Sequence, residues 1–268
     1  MNRLLVITLV GFGLIVGYVR YLEKRNLFYP MKVIEYNPSI YKMPFEEINL
    51  KTEDGLAING WFIPYNNARY TLLFFHGNGG NIGHRVEKYK MLNGLSVNIF
   101  AIDYRSYGKS QGKPSEKGLY LDALCAYRYL VDSRRIPAEQ VVIYGESLGG
   151  AVAIDLASKV KVGGLITEGA FSDEADMAWN VFPGMPAFIL GSKFDSLKKI
   201  KKVNTVKLFI HSVDDELVPF ELGYKLYNAA GEPKRLARLR GGHNNAYFVS
   251  KDKYALAISS FLGTLTTP

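Results

Sequence analysis

Between Glu46 and Tyr65 the chain reads "EEINLKTEDGLAINGWFIPY", with apolar and polar residues in alternation. The period of two breaks at Glu53-Asp54-Gly55, which predicts two antiparallel strands joined by a tight turn. From Tyr70 onward the rhythm changes to short apolar runs: "YTLLFFH", "SVNIFAIDY", "QVVIYGE", "GGLITEG" and "VKLFIHSV". Helix-like stretches separate most of them, so the pattern predicts an α/β fold: a mostly parallel sheet with helices on both faces. A weaker strand, "KRLARLR", and a helical "KDKYALAISSFLG" close the chain. One irregular insert, from about Ser172 to Thr205, interrupts this order and carries Trp179, Phe182, Met185, Phe188 and Phe194. It is expected either to form a small lid over an apolar pocket or to pack as an ordinary core helix.

The first residues follow neither period. Leu4 to Val19, "LLVITLVGFGLIVGYV", is uncharged and has no polar face. Its sixteen residues fall slightly below the roughly 20 that a spanning helix needs. Tyr18 and Tyr21 sit at its end, and Arg20, Lys24 and Arg25 follow. A cleaved signal peptide would need small residues after the apolar core, yet the first alanine is Ala57. The expectation is therefore an uncleaved, single-pass N-terminal membrane anchor over residues 1–25, followed by a connector with three prolines over 26–44 and one folded domain over 45–268. With only Arg3 ahead of the apolar run, the positive-inside bias leans toward a cytoplasmic domain. A net charge of +8 suits an anionic membrane face or an acidic partner, and no stretch resembles a nucleic-acid module. The lone Cys125 excludes an internal disulfide and a multi-cysteine zinc site, and reads as a small buried core residue.

Candidate chemistry begins at "TLLFFHGNGGNIGHR", Thr71 to Arg85, where an apolar run stops at a glycine-rich turn. Such a turn lets the backbone approach a ligand closely, whether a phosphate or an oxyanion. The dinucleotide fingerprint fails, because Gly77 and Gly79 fit but Ile82 occupies the third glycine position, and no Walker lysine follows. The strongest motif is Gly145-Glu146-Ser147-Leu148-Gly149, set between a β-branched strand and an Ala-rich helix. G-x-S-x-G in that setting is a sharp turn that lifts the Ser147 hydroxyl clear of the sheet at a helix N-terminus. A serine hydroxyl needs a base. Of the four histidines, His243 in "LRGGHNNAY" follows the last strand, where such a base belongs. His76 is expected to scaffold the glycine turn, His84 to lie on the surface and His211 to pack in the core. The acid that orients the base should end the preceding strand, in "KLFIHSVDDELVP"; position alone leaves Asp214 and Asp215 open.

Taken together, "HGNGGNIGHR", "DYRSYGKSQGKPSEKGLYLDA", "GESLGG", "DDELVP" and "GGHN" resemble the α/β-hydrolase superfamily. The resemblance runs from about Asn26 to Phe261. It points to the short-lid, membrane-associated branch that includes fungal bud-emergence-type hydrolases and acyl-protein thioesterases. It implies an α/β-hydrolase fold, with an N-terminal antiparallel hairpin and a short lid insert at about 172–205. In the family motif H-G-x-x-D-x-x-V-P the catalytic aspartate precedes the proline by four residues, so Pro219 selects Asp215. The implied triad is Ser147, Asp215 and His243, and the implied oxyanion donors are the backbone N–H groups of Asn78 and Leu148. Ser212 and Ser106 stand where the family usually has glycine. The expected activity is hydrolysis of ester or thioester bonds in acyl substrates, lipid-like molecules or acylated proteins, through an acyl-enzyme and without cofactor or metal. An aminopeptidase-like amide hydrolase and a non-catalytic, membrane-tethered binding module are the alternatives. Because every motif follows the apolar run, residues up to about Arg25 are expected to be dispensable for the chemistry.

Overall fold

A computed structural model describes residues 3–181 and 186–265, and its first element is a long helix, α1 (Arg3–Leu27). Strand β1 (Tyr29–Pro30) follows, then the hairpin of β2 (Glu46–Lys51) and β3 (Ala57–Ile63), antiparallel with Asn49 opposite Asn59. Strands β4 (Tyr70–Phe75) and β5 (Gly79–Gly80) bracket the turn at His76. Next come α2 (Val86–Asn93), β6 (Val97–Ile102), α3 (Glu116–Arg128), β7 (Val141–Glu146) and α4 (Leu148–Ala157). After β8 (Gly164–Glu168) lie α5 (Glu174–Val181) and α6 (Ser196–Ile200), which belong to the insert. The chain closes with β9 (Val206–Ser212), α7 (Phe220–Ala229), β10 (Lys234–Leu239), α8 (Ala246–Val249) and α9 (Lys251–Thr264).

Eight strands form one sheet in the order β10-β9-β8-β7-β4-β6-β3-β2. From β10 to β6 every pair is parallel, and β3 and β2 add an antiparallel edge. The continuous apolar runs have a simple cause: both faces of these strands are covered. In β4, Leu73 and Phe75 enter one core with Phe100, Ile143 and Val152, whereas Leu72 and Phe74 enter the other with Tyr89, Tyr144 and Tyr254. Successive side chains point to opposite faces, so a run without polar breaks serves two cores at once.

Three expectations change. Among the described residues no helix is long and apolar enough to cross a membrane. The uncharged stretch of α1 is bracketed by Arg3 and Arg20, and at about 1.5 Å per residue its sixteen residues reach roughly 24 Å, short of the ~30 Å hydrocarbon layer. The single-pass, transmembrane anchor is thus replaced by a helix whose C-terminal end is built into the folded body. Phe12 packs on Phe188 with centroids 6.4 Å apart, and the Arg20 Nε donates to the Ile189 carbonyl at 3.3 Å. Cys125 is half-buried rather than fully enclosed; its thiol lies 3.3 Å from the Lys51 carbonyl, and burial raises its pKa to about 11. The insert divides its aromatic residues. Phe194 is fully buried against Phe28 and Tyr120, while Trp179 is 58% and Phe188 71% exposed. Phe182 and Met185 lie outside the described residues.

Candidate active site

Ser147 sits between β7 and α4 with φ 53° and ψ −119°, a backbone conformation that L side chains rarely adopt. Two contacts hold it there: its N–H donates to the Glu168 carbonyl at 2.8 Å, and its carbonyl accepts from the Gly150 N–H at 2.8 Å. The flanking glycines are steric necessities. A Cβ on Gly145 would lie 2.3 Å from the Gly149 carbonyl oxygen, and one on Gly149 would lie 2.1 Å from that of Phe75. The helix can leave the strand end this steeply only where no Cβ intervenes.

His243 and the carboxylates come from the loops after β10 and β9. The His243 Nδ1 is 2.7 Å from Asp215 Oδ2, and the His243 backbone N–H donates to Glu216 Oε2 at 3.0 Å. Asp215 Oδ1 accepts from the N–H groups of Leu217 (3.0 Å) and Val218 (2.7 Å). Asp214 instead turns outward to Arg240 Nη1 at 2.7 Å and the Gly241 N–H at 3.2 Å. Burial would by itself favour the neutral forms of both partners. The charge-assisted bond between them wins, so the His243 pKa is raised above its ordinary 6.5 and that of Asp215 lowered below 3.8. His211 is buried as expected, with Nε2 2.9 Å from the Val218 carbonyl and 3.5 Å from Asp215 Oδ2; burial lowers its pKa.

At the glycine turn, His76 is fully buried and its Nδ1 lies 2.7 Å from the Gly77 carbonyl. A carbonyl only accepts, so Nδ1 carries the proton. Because the peptide is planar, this bond also sets the direction of the Asn78 N–H at the other end of the same unit. The Asn78 carbonyl is held in turn by the Tyr29 N–H at 3.0 Å and the Tyr107 hydroxyl at 2.7 Å. The N-terminal segment is thus stitched to the turn: β1 pairs with β5, and Asn78 Nδ2 donates to the Leu27 carbonyl at 3.4 Å. His84 is exposed and closes a capping box with Asn81 at the start of the next turn.

A buried ionic cluster that the sequence did not announce lies beneath the serine. Lys88 Nζ bridges Glu146 Oε2 at 2.7 Å and Glu168 Oε2 at 2.9 Å, and Arg85 Nη2 meets Glu146 Oε1 at 3.2 Å. Tyr144 donates to Glu168 and contacts the Tyr254 hydroxyl at 2.7 Å. Burial disfavours charge on Glu146 and Lys88 alike, but Lys88 and Arg85 outweigh it at Glu146, whose pKa is lowered, and Glu146 and Glu168 outweigh it at Lys88, whose pKa is raised. Glu146 and Glu168 also raise the His243 pKa, after the larger effect of Asp215.

Two cavities meet at Ser147. One, of about 360 Å³, is walled by apolar side chains including Leu22, Leu27, Phe171, Met177, Leu190 and Val218, and Asn78 and Leu148 reach it. The other, about 980 Å³, is mixed: Arg85, Lys88, Glu146, His243 and Asn244 line it beside Met31, Met177, Leu217 and Val218. Ser147 and Asn78 line both cavities, Leu148 lines the first and His243 the second, and Asp215 reaches the site through its bond to His243. Among the described residues no cluster of His, Cys, Asp or Glu is placed to hold a metal ion.

The sequence pattern of the alpha/beta hydrolase fold matches residues 70–200. Protein bem46 of Schizosaccharomyces pombe is 34% identical over 249 residues, covering 86% of this chain and 81% of that protein. The chain belongs to the α/β-hydrolase family. The alpha/beta hydrolase domain-containing protein WAV2 of Arabidopsis thaliana is 35% identical, covering 80% of this chain and 74% of its own. Among solved structures, the Pyrococcus furiosus esterase Pf2001 superposes with a TM-score of 0.75 at 20% identity, over 88% of this chain and 99% of that one. An α/β hydrolase from Vibrio vulnificus does so with a TM-score of 0.76 at 24% identity, over 91% and 93%. Within the hydrolase fold, sequence reasoning missed Lys88 and Glu168 as neighbours of the site. Lys88 is 5% exposed, and a lysine so buried must face a charge, but that burial becomes visible only in the folded chain.

Proposed function

We propose that the protein is a serine hydrolase that cleaves ester or thioester bonds of apolar acyl substrates. The observation that carries this reading is the strained Ser147 at the meeting point of an apolar cavity and a mixed one, the latter lined also by His243 bound to Asp215 at 2.7 Å. In this mechanism the neutral His243 takes the Ser147 proton as Oγ attacks the acyl carbonyl. Asp215 holds the imidazole in the required tautomer and stabilises the imidazolium. The tetrahedral oxyanion is received by the N–H groups of Asn78 and Leu148, each worth about 3–4 kcal/mol. Collapse expels the alcohol or thiol with the His243 proton and leaves an acyl-serine; water then attacks by the same route in reverse.

The apolar cavity holds the acyl chain, and the mixed one the leaving group. One feature favours an alternative: Glu174, a carboxylate, lines the apolar cavity and could meet the ammonium of an aminoacyl amide. A panel of p-nitrophenyl esters from acetyl to dodecanoyl, beside an acyl thioester and an aminoacyl amide, separates the two. The acyl reading predicts kcat/KM rising about fourfold per methylene, from ~0.8 kcal/mol each, until the cavity is full. A flat ester profile with good amide turnover would overturn it. The exposed Leu5, Ile7, Leu9, Leu14 and Ile15 of α1 further support contact with a lipid surface, from which such substrates could be drawn.

A further inference from the structure

The motifs place every catalytic group after residue 70, and the insert is the expected source of the substrate pocket. The cavity beside Ser147 is nevertheless walled on one side by the N-terminal helix. Val19, Leu22, Asn26 and Leu27 line it, facing Phe171 and Met177. The spacing i, i+3, i+7 puts Val19, Leu22 and Asn26 on one face of α1, and Val19, Leu22 and Leu27 are half-buried where neighbouring Tyr18 and Tyr21 are exposed. From Val19 to Asn26 that face runs about 10 Å along the helix, the reach of a medium acyl chain.

The helix is held in register with the site from both directions. At its C-terminal end, Phe28 is buried against Phe194, and the Leu27 carbonyl accepts from Asn78 Nδ2 beside the serine. Farther back, Arg20 bonds the Ile189 carbonyl and Phe12 packs on Phe188, so α1 and the insert grip each other over the cavity. In contrast, the exposed Trp179 of the insert is not a lining residue, whereas Met177 and Ala178 are.

We infer that α1 is a specificity-determining wall of the acyl site, with Leu22 and Val19 setting how long a chain is accepted. The inference rests on the acyl reading of the apolar cavity. It makes the N-terminal helix part of substrate recognition rather than a dispensable leader. An acyl chain lying along Val19 and Leu22 loses water against their side chains, so chain-length selectivity is shared between α1 and α5.

The test compares three variants of the full-length chain by the ratio of kcat/KM for octanoyl and acetyl p-nitrophenyl esters, measured on the same preparation. Leu22→Trp fills the cavity from the α1 side and should lower that ratio at least tenfold. Met177→Trp, which fills it from α5, should lower it similarly. Leu22→Ala enlarges the cavity and should move the preferred chain one or two carbons longer; it keeps the test informative if the tryptophan variant does not fold. If Met177→Trp shifts the profile and both Leu22 variants leave it where it was, the wall is not α1, and the acyl reading stands without it. If none of the three shifts it in active enzyme, the apolar cavity is not the acyl site and the inference falls with it.

Discussion

Asp214 and Asp215 are adjacent and chemically identical, yet the fold gives them opposite surroundings. Asp215 is held by two backbone N–H groups and faces His243, while Asp214 pairs with Arg240 at the surface. Asp215→Asn should therefore cut kcat by about 10⁴, and Asp214→Asn should change it by no more than about threefold. Steady-state kinetics on the two variants would reverse the assignment if Asp214→Asn were the more damaging. The same pair sets a pH dependence. His243 must be neutral to accept a proton, and its pKa is raised, so activity is lost as pH falls through a midpoint above 6.5. Its contribution to folding runs the other way: that stabilisation is complete below the ordinary histidine value and is lost as pH rises through the folded pKa. In a pH–rate profile, Asp215→Asn should move the residual midpoint downward; an unmoved midpoint would show that another group titrates. Ser106 holds φ 77°, a region that favours glycine, and the Ser212 hydroxyl donates to the Gly241 carbonyl, tying β9 to the histidine loop.

At the scale of elements, the period of two and the runs that replace it located every main strand, because both patterns follow directly from which faces are covered. The glycine-serine turn was legible for a similar reason: G-x-S-x-G encodes a steric condition that the chain itself must meet. Gly149→Ala would place a Cβ 2.1 Å from the Phe75 carbonyl, which belongs to a central strand and cannot move aside. It should destabilise the fold by roughly 3 kcal/mol or more, read as a lower midpoint of urea unfolding. An unchanged midpoint would mean that β4 and α4 are not packed this closely. What the pattern could not show is contact between segments far apart in sequence. Lys88, Glu146 and Glu168 belong to three different elements, and only the strand order brings β7 and β8 together over α2. Likewise His76 was legible as a scaffold, but not that its Nδ1 orients the peptide carrying the Asn78 N–H.

For the whole molecule, the N-terminal run shows how hydropathy alone misleads. An uncharged stretch of this length resembles an anchor, but its C-terminal continuation is committed to the body, where Phe28 joins the core and β1 pairs with the glycine turn. Residues 3–18 and 19–31 thus differ in role. A chain lacking residues 3–18 should lose flotation with anionic liposomes while keeping its preference for longer esters; flotation equal to that of the full chain would place lipid contact elsewhere. The central claim is that Ser147 is an activated nucleophile. The most direct test is labelling of the intact protein with a fluorophosphonate probe, followed by mapping of the modified peptide by mass spectrometry. An activated serine gives one label per chain on the peptide holding Ser147, suppressed in His243→Ala and absent from Ser147→Ala. A folded protein that takes up no label, or takes it up equally after Ser147→Ala, would contradict the claim.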